Sequence, residues 1–184
     1  ETGAPEDQWF DKFSDTDDWS KTTGRLVLDW QFTDYAMTYA SVATGYKSGG
    51  FNGQSFGAVI AGSFAPEEMT SYEIGLKGDF FNETLRTEVA IFHHKLDGKQ
   101  DQKSVKNGPD DPTAAPGVVS SDEKADGIEL IVTWSITDTL RVAGLTTYRE
   151  TENISDLYYN SAGELSGGNK SIGETNTEYT LKLD

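Results

Sequence analysis

The stretch Met37–Asn52, MTYASVATGYKSGGFN, lies between two segments of alternating polarity. The segment before it is Gly24–Thr33, GRLVLDWQFT, and the segment after it, across a glycine-rich gap, is Ser71–Phe80, SYEIGLKGDF. In each flanking segment apolar residues recur at roughly every second position, the period of a β-strand. A length of about ten residues suits a tilted strand that crosses a bilayer. The central stretch and its flanks therefore predict neighbouring strands.

The composition limits the partners and sites that this chain can have. Its 184 residues carry a formal net charge of −16, which disfavours a nucleic-acid partner. The absence of cysteine excludes disulfides and thiolate metal sites. No apolar run approaches about eighteen residues, so no transmembrane helix is predicted. An apolar fraction of 35% is still compatible with a transmembrane barrel, whose strands need apolar residues only at alternate positions.

Three related segments each end a predicted strand and open a short turn. Trp30–Asp34 and Trp134–Asp138 are near copies, and Gly78–Asn82 is a looser one, at a spacing of roughly fifty residues. Long polar loops are predicted between the short turns and before the first strand, over residues 1–21, 48–68, 97–124 and 151–173. Short turns at one end and long loops at the other are typical of bacterial outer-membrane barrels.

The predicted fold class is therefore all-β, an antiparallel meander of about seven to eight long strands that forms a segment of a transmembrane β-barrel. The seventh strand is predicted to begin near Thr175 and to contain the chain's end. The alternative from periodicity alone is a soluble antiparallel sheet with one buried face, which also alternates and also buries aromatic residues.

Aromatic residues recur near both ends of the predicted strands, on the apolar face. In a membrane barrel such residues form girdles at the two lipid–water boundaries. The membrane-girdle candidates are Trp30, Phe32, Tyr46, Tyr72, Phe80, Trp134 and Tyr148.

Charged residues fall on the opposite face of the same strands. In a complete barrel they would line the lumen, where they either contact a ligand or simply pair with one another. The lumen-facing candidates are Arg25, Asp29, Glu73, Lys77, Glu88, His94, Glu129 and Arg141. His93 and His94 are adjacent, so they are predicted to face opposite sides and not to bind one metal ion together.

No catalytic, cofactor or metal site is predicted. The acidic group Asp97, Asp101, Asp110, Asp111, Asp122 and Glu123 offers oxygen ligands for Ca²⁺, but its spacing does not match an EF-hand, and a solvated loop is the default interpretation. The sequence lacks a Gly-x-Ser-x-Gly element. Its paired glycines precede no predicted helix that would hold a phosphate. We therefore predict that the chain is not an enzyme.

The block Gly45–Asn52, GYKSGGFN, followed by Pro66-Glu-Glu and then Ser71–Lys77, closely resembles the barrel of TonB-dependent outer-membrane receptors, particularly their siderophore-receptor-like branch. The resemblance covers most of residues 22–184. It implies localisation in the bacterial outer membrane and contact with its lipid. It also implies import of a scarce nutrient such as a ferric siderophore, with energy from the TonB–ExbB–ExbD complex.

Two features of such receptors find no counterpart in this sequence. One is the plug domain with its TonB box, and the other is a closing strand with a terminal aromatic residue. We therefore expect residues 1–184 to be one partial barrel domain. Its two edge strands would have to pair with copies, close on each other or join a larger assembly.

Two other interpretations of the sequence remain open. A structural or self-assembling β-sheet protein could use the open edges of such a segment. A soluble carbohydrate-binding β-sandwich would instead bury the apolar strand faces in a closed core.

Overall fold

A computed structural model of the chain describes residues 16–52, 63–106, 108–172 and 176–183. Every regular element in these ranges is a β-strand, which confirms the predicted all-β class. None of the described residues forms a helix long and apolar enough to cross a membrane, a result that does not bear on crossing by strands. The strands are β1 (Arg25–Thr33), β2 (Ala36–Lys47), β3 (Gly50–Phe51), β4 (Ser63–Phe64), β5 (Glu67–Phe80), β6 (Leu85–Lys106), β7 (Ala115–Thr137), β8 (Leu140–Ser155), β9 (Tyr158–Asn160), β10 (Leu165–Ser166), β11 (Lys170–Ile172) and β12 (Asn176–Leu183).

The long strands form one antiparallel sheet in the order β1-β2-β5-β6-β7-β8, with β11 and β12 both paired to β8. Each long strand lies beside the next long strand in the chain, as the predicted meander requires. The short pair β3–β4 forms a separate small sheet, and β9 joins β10 to the outer end of β6.

The short turns at one end of the sheet are displaced stepwise along the strand direction. Ala36, where β2 begins, pairs with Gly78, but β5 continues to Phe80 before it turns. Leu85, where β6 begins, pairs with Trp134, but β7 continues to Thr137 before it turns. A progressive stagger of this kind is what tilted strands need in order to curl into a barrel wall.

The registers divide the sheet into two chemically different faces. The row Leu28, Ala40, Ile74, Ile91, Ile128 and Tyr148 crosses six strands on one face, which we call the apolar face. The row Ser41, Glu73, Phe92 and Gly127 lies on the other, which we call the polar face. Trp30 and Leu28 are 67% and 68% exposed, so the apolar face is not covered by a second layer of described residues.

The small amount of buried surface lies mainly on the polar face. Tyr39 is only 8% exposed because its ring lies over Gly75, the residue paired with it on β5. The ring of Phe92 covers its partner Gly127 in the same way. An aromatic ring that fills the space above a strand glycine is a known means of stabilising such a position. Trp30 and Trp134 are not buried together, which excludes the closed-core sandwich for the described residues.

The predicted loop over residues 97–124 is wrong in its bounds. β6 and β7 run through it as paired strands, and only the short connection between Lys106 and Ala115 remains. This part of the hairpin carries polar and charged residues on both of its faces, so its side chains do not alternate in polarity and the sequence signal disappears. Pro116 is tolerated because β8 begins to pair with β7 only at Ser121, which leaves this part of β7 at an edge.

The other predicted loops also contain strands. Residues 48–68 hold β3, β4 and the start of β5, and residues 151–173 hold the end of β8 with β9, β10 and β11. Within the predicted loop over 1–21, residues 1–15 lie outside the described part of the chain, as do residues 53–62 and Thr175, the predicted start of the seventh strand.

Candidate functional site on the polar face

A shallow polar cleft lies on the polar face across β5, β6, β7 and β8. Its volume is about 260 Å³, and its lining residues are Glu73, Ala90, Phe92, His94, Glu129, Thr147 and Arg149. The registers explain why these residues meet, because Glu73 pairs with Phe92, Ala90 with Glu129, and Glu129 with Thr147. The small side chain of Ala90 leaves the space that its larger neighbours surround.

The cleft combines a stacked pair of rings with charges of both signs. The rings of Phe92 and His94 stack with centroids 4.6 Å apart and planes at 23°. The Thr147 hydroxyl donates a hydrogen bond to Glu129 Oε2 at 3.3 Å. Glu73 and Arg149 supply an acceptor and a donor group in the same lining. Such a surface can bind polar groups and one planar face.

Closer to the short turns, the polar face carries two ion pairs between β5 and β6. Lys77 Nζ lies 2.5 Å from Glu88 Oε1 and 5.2 Å from the centre of the Tyr39 ring. Arg86 donates to both oxygens of Asp79, at 2.7 and 3.3 Å. Each pair joins directly opposed residues of the register. These charges therefore neutralise one another across the strands and do not point freely into open space.

A third polar group lies on the outer extension, the part of the β6–β7 hairpin between Lys99 and Glu123. Lys99 Nζ lies 2.7 Å from Glu123 Oε2 and 3.7 Å from Asp101 Oδ1. Ser121 is 2% exposed; its hydroxyl donates to Asp101 at 3.1 Å and accepts a hydrogen bond from the Asn153 amide at 3.2 Å. The hydrogen bond from Lys99 to Glu123 raises the pKa of the lysine, although burial opposes that rise.

The prediction of an acidic loop is wrong for Asp97, Asp101, Asp122 and Glu123, which lie on β6 and β7 and have partners. Asp97 pairs with Lys95 at 2.8 Å, and Asp122 accepts a hydrogen bond from the Gly98 backbone at 3.0 Å. Asp111, in the connecting turn, accepts one from the Thr113 backbone at 2.9 Å. Among the described residues no group of three or more His, Cys, Asp or Glu side chains is placed to hold a metal ion.

The two adjacent histidines lie on opposite faces, as the strand period requires. His94 lines the cleft, whereas His93 Nδ1 lies 2.7 Å from Asp126 Oδ1 on the apolar face. The rings of His93 and Tyr72 are 6.3 Å apart.

All eight predicted lumen-facing residues lie on the polar face of the sheet. The structure brings Glu73, His94 and Glu129 together in the cleft and Lys77 with Glu88 in an ion pair. The remaining three, Arg25, Asp29 and Arg141, lie apart from the cleft and from that pair. That this face looks into a lumen stays a prediction.

The predicted girdle residues all share the apolar face with Leu28 by register, apart from Phe32. That residue lies at an irregularity between Gln31 and Thr33, with its ring 5.8 Å from that of Trp30. Trp30, Phe32, Phe80 and Trp134 are near the short turns, and Tyr46, Tyr72 and Tyr148 are toward the opposite end. Their contact with lipid headgroups also stays a prediction.

Sequence reasoning did not single out Tyr39, Phe92 or Arg149 as site residues. The only available signal for the two rings was the glycine that faces each of them, and pairing Tyr39 with Gly75 or Phe92 with Gly127 requires the strand register. Arg149 was visible only as a polar residue on β8.

Residues 5–180 match the family model described as TonB dependent receptor-like, beta-barrel. The chain belongs to the family of TonB-dependent receptors. TonB-dependent receptors are transporters rather than enzymes, and their barrel domains are located in the outer membrane of Gram-negative bacteria. No solved structure matches this TonB-dependent receptor chain.

Proposed function

We propose that this chain forms part of the wall of an outer-membrane receptor that imports a scarce nutrient such as a ferric siderophore. In this proposal residues 1–184 are one partial barrel domain without a plug. Lipid covers the apolar face, and the polar face lines the path of the nutrient. The chain itself catalyses no reaction, because a wall segment acts by binding and by separating lipid from water.

The observation that carries the proposal is the division of one staggered sheet into two faces. Leu28, Ile74 and Ile128 lie exposed on one face, while Glu73 and Glu129 lie on the other. A single layer that exposes large apolar side chains on one side is stable when hydrocarbon covers that side. The ion pairs and the polar cleft on the opposite side suit a water-filled interior.

Membership of this family supports the proposal that TonB is the protein partner and supplies the energy for import. TonB-dependent receptors depend on TonB for transport, so the intact parent would draw on the TonB–ExbB–ExbD complex of the inner membrane. The formal net charge of −16 argues against a nucleic-acid cargo. A siderophore is proposed because the Gly45–Asn52 and Pro66–Lys77 blocks resemble that branch of the family.

Single cysteines provide the test of the two faces, since the chain has no cysteine of its own. Leu28, Ile74 and Ile128 would each be replaced by cysteine and spin-labelled after reconstitution into lipid vesicles. The matched controls are Asp29, Glu73 and Glu129, each one residue away on the same strand and on the other face. We expect the first three labels to be relaxed by oxygen and the controls by a water-soluble nickel complex. Equal accessibility of both sets to the nickel complex would contradict the membrane placement.

The identity of the nutrient requires the intact receptor. We expect ferric siderophores to quench its tryptophan fluorescence saturably, and metal-free siderophores of the same structure to quench it far more weakly. Binding of an oligosaccharide or a cobalt corrin, with no response to ferric siderophores, would agree with the import role but would contradict the siderophore as the nutrient.

One observation favours a second candidate function, a self-assembling sheet. Among the described residues β1 pairs only with β2, and β12 only with β8, so both edges carry backbone groups available to further strands. A defined oligomer in water without detergent would favour self-assembly, whereas dependence on detergent would favour the membrane wall.

A further inference from the structure

At the short-turn end of the sheet, aromatic rings and carboxylates surround a second cavity. Its volume is about 480 Å³, and it lies between the turn at Asp34–Tyr35 and the turn at Phe81–Glu83. Tyr35, Phe80 and Phe81 provide the aromatic part of its lining. The rings of Tyr35 and Phe80 meet edge to face at 5.9 Å, and Asp79 N donates a hydrogen bond to Tyr35 O at 2.8 Å, which ties the two turns together.

The carboxylates of this cavity differ in how far they are already satisfied. Asp79 is bound by Arg86 through two hydrogen bonds, at 2.7 and 3.3 Å. Asp34 and Glu83 are exposed, and neither makes a hydrogen bond or ion pair with the described residues. Three carboxylates line the cavity, and Arg86, which lies outside the lining, neutralises only Asp79 through these hydrogen bonds. The lining therefore keeps a net negative charge. It therefore attracts a cation and repels an anion.

The second turn combines a strained backbone with an exposed aromatic residue, Phe81. Phe81, Asn82 and Glu83 have φ angles of 53°, 55° and 66°, a conformation that non-glycine residues rarely adopt. Thr84 Oγ1 donates to Phe81 O at 2.9 Å and helps to hold the turn. The Phe81 side chain is left 72% exposed, and Tyr35 beside it is 56% exposed. Strain of this kind persists where the surrounding structure fixes it, often at binding sites.

We propose that this cavity binds the headgroup of a membrane lipid that carries a primary ammonium group. A cation over an aromatic face is attracted by the ring, and an ammonium can also donate charge-assisted hydrogen bonds to Asp34 and Glu83. The Tyr35 ring meets that of Phe80 on the apolar face, and Tyr35 and Phe81 are both exposed in the turns that end this face. Lipid that covers the face would therefore reach these rings next to the headgroup. This inference rests on the proposed membrane placement of the apolar face.

Competition between lipids in one bilayer tests the assignment. The whole chain would be reconstituted into vesicles with equal fractions of phosphatidylethanolamine, phosphatidylcholine and phosphatidylglycerol, and the lipids retained after extraction would be quantified by mass spectrometry. We expect phosphatidylethanolamine to be enriched about fivefold over phosphatidylcholine, whose quaternary ammonium cannot donate a hydrogen bond. Phosphatidylglycerol should be depleted, because its headgroup is anionic.

Variants locate the site. The double substitution Asp34→Asn with Glu83→Gln should abolish the enrichment, and Phe81→Ala should reduce it about threefold through the lost ring contact. The matched control is Asp138→Asn, which removes a carboxylate from the third short turn, outside the cavity lining, and should leave the enrichment unchanged. Loss of enrichment in the control as well would assign the preference to general surface charge and overturn the site.

Two further outcomes separate this inference from the proposed function. If the chain enters bilayers and shows no lipid preference, the inference falls and the membrane wall stands. If it enters no bilayer of any composition, the membrane placement fails and the lipid site fails with it. Saturable binding of phosphoethanolamine in solution, equal in strength to that of the lipid, would identify a site for a free amine and would overturn the lipid assignment.

Discussion

At the scale of single residues, Gly75 is a strand position where one added methyl group should lower the stability of the sheet. A Cβ at Gly75 would overlap the ring of Tyr39, which is held nearly buried beneath Lys77. We expect Gly75→Ala to lower the free energy of unfolding by about 1–3 kcal/mol, the usual effect of overpacking. The measurement is the urea midpoint of the chain in lipid vesicles. The matched control is Gly144→Ala on β8, because a Cβ there lies 3.7 Å from its nearest neighbour, Thr180 O. An equal loss of stability in both variants would contradict the role of the Tyr39 ring.

At the scale of elements, the outer extension depends on Lys99. Because the hydrogen bond to Glu123 raises the folded-state pKa of Lys99 above its unfolded value, the stabilisation is complete below the ordinary lysine pKa of about 10.4 and is lost as the pH rises through the folded pKa. We therefore expect a spin label at Gln102→Cys to be immobile at neutral pH and mobile in strong alkali. Lys99→Met should make it mobile at every pH. Lys124→Met, which removes an exposed lysine of β7 for which no ion pair is found among the described residues, is the control and should behave like the parent chain.

The same extension shows how far the sequence predicts the elements. The strands that carry the apolar face can be predicted from the alternation of residues such as Leu130, Val132 and Trp134, since one side of the sheet must be apolar. The extension could not be predicted in this way, because Lys99, Asp101 and Glu123 stabilise it through pairs that exist only once the register is fixed. Glu73, His94 and Glu129 were predicted only to face a lumen, and their meeting with Phe92 in one cleft could not be predicted for the same reason.

At the scale of the whole molecule, the stagger of the turns and the two edges that have no partner among the described residues both relate to closure of a barrel. Tilted strands close into a barrel only when the first and last strands find partners, and in lipid each unpaired backbone group costs several kcal/mol. Gly24 O accepts a hydrogen bond from Thr44 N, so by antiparallel alternation the N–H groups of Val27 and Asp29 point to the free edge of β1. Val27→Pro should therefore block edge pairing and keep the β1–β2 bonds. We expect the isolated chain in detergent to associate through its edges, and this variant to weaken the association at least about tenfold, the factor for one lost hydrogen bond of about 1.4 kcal/mol. Sedimentation equilibrium measures it, with Val27→Ala as the control. A parent chain that sediments as a monomer would contradict association between copies.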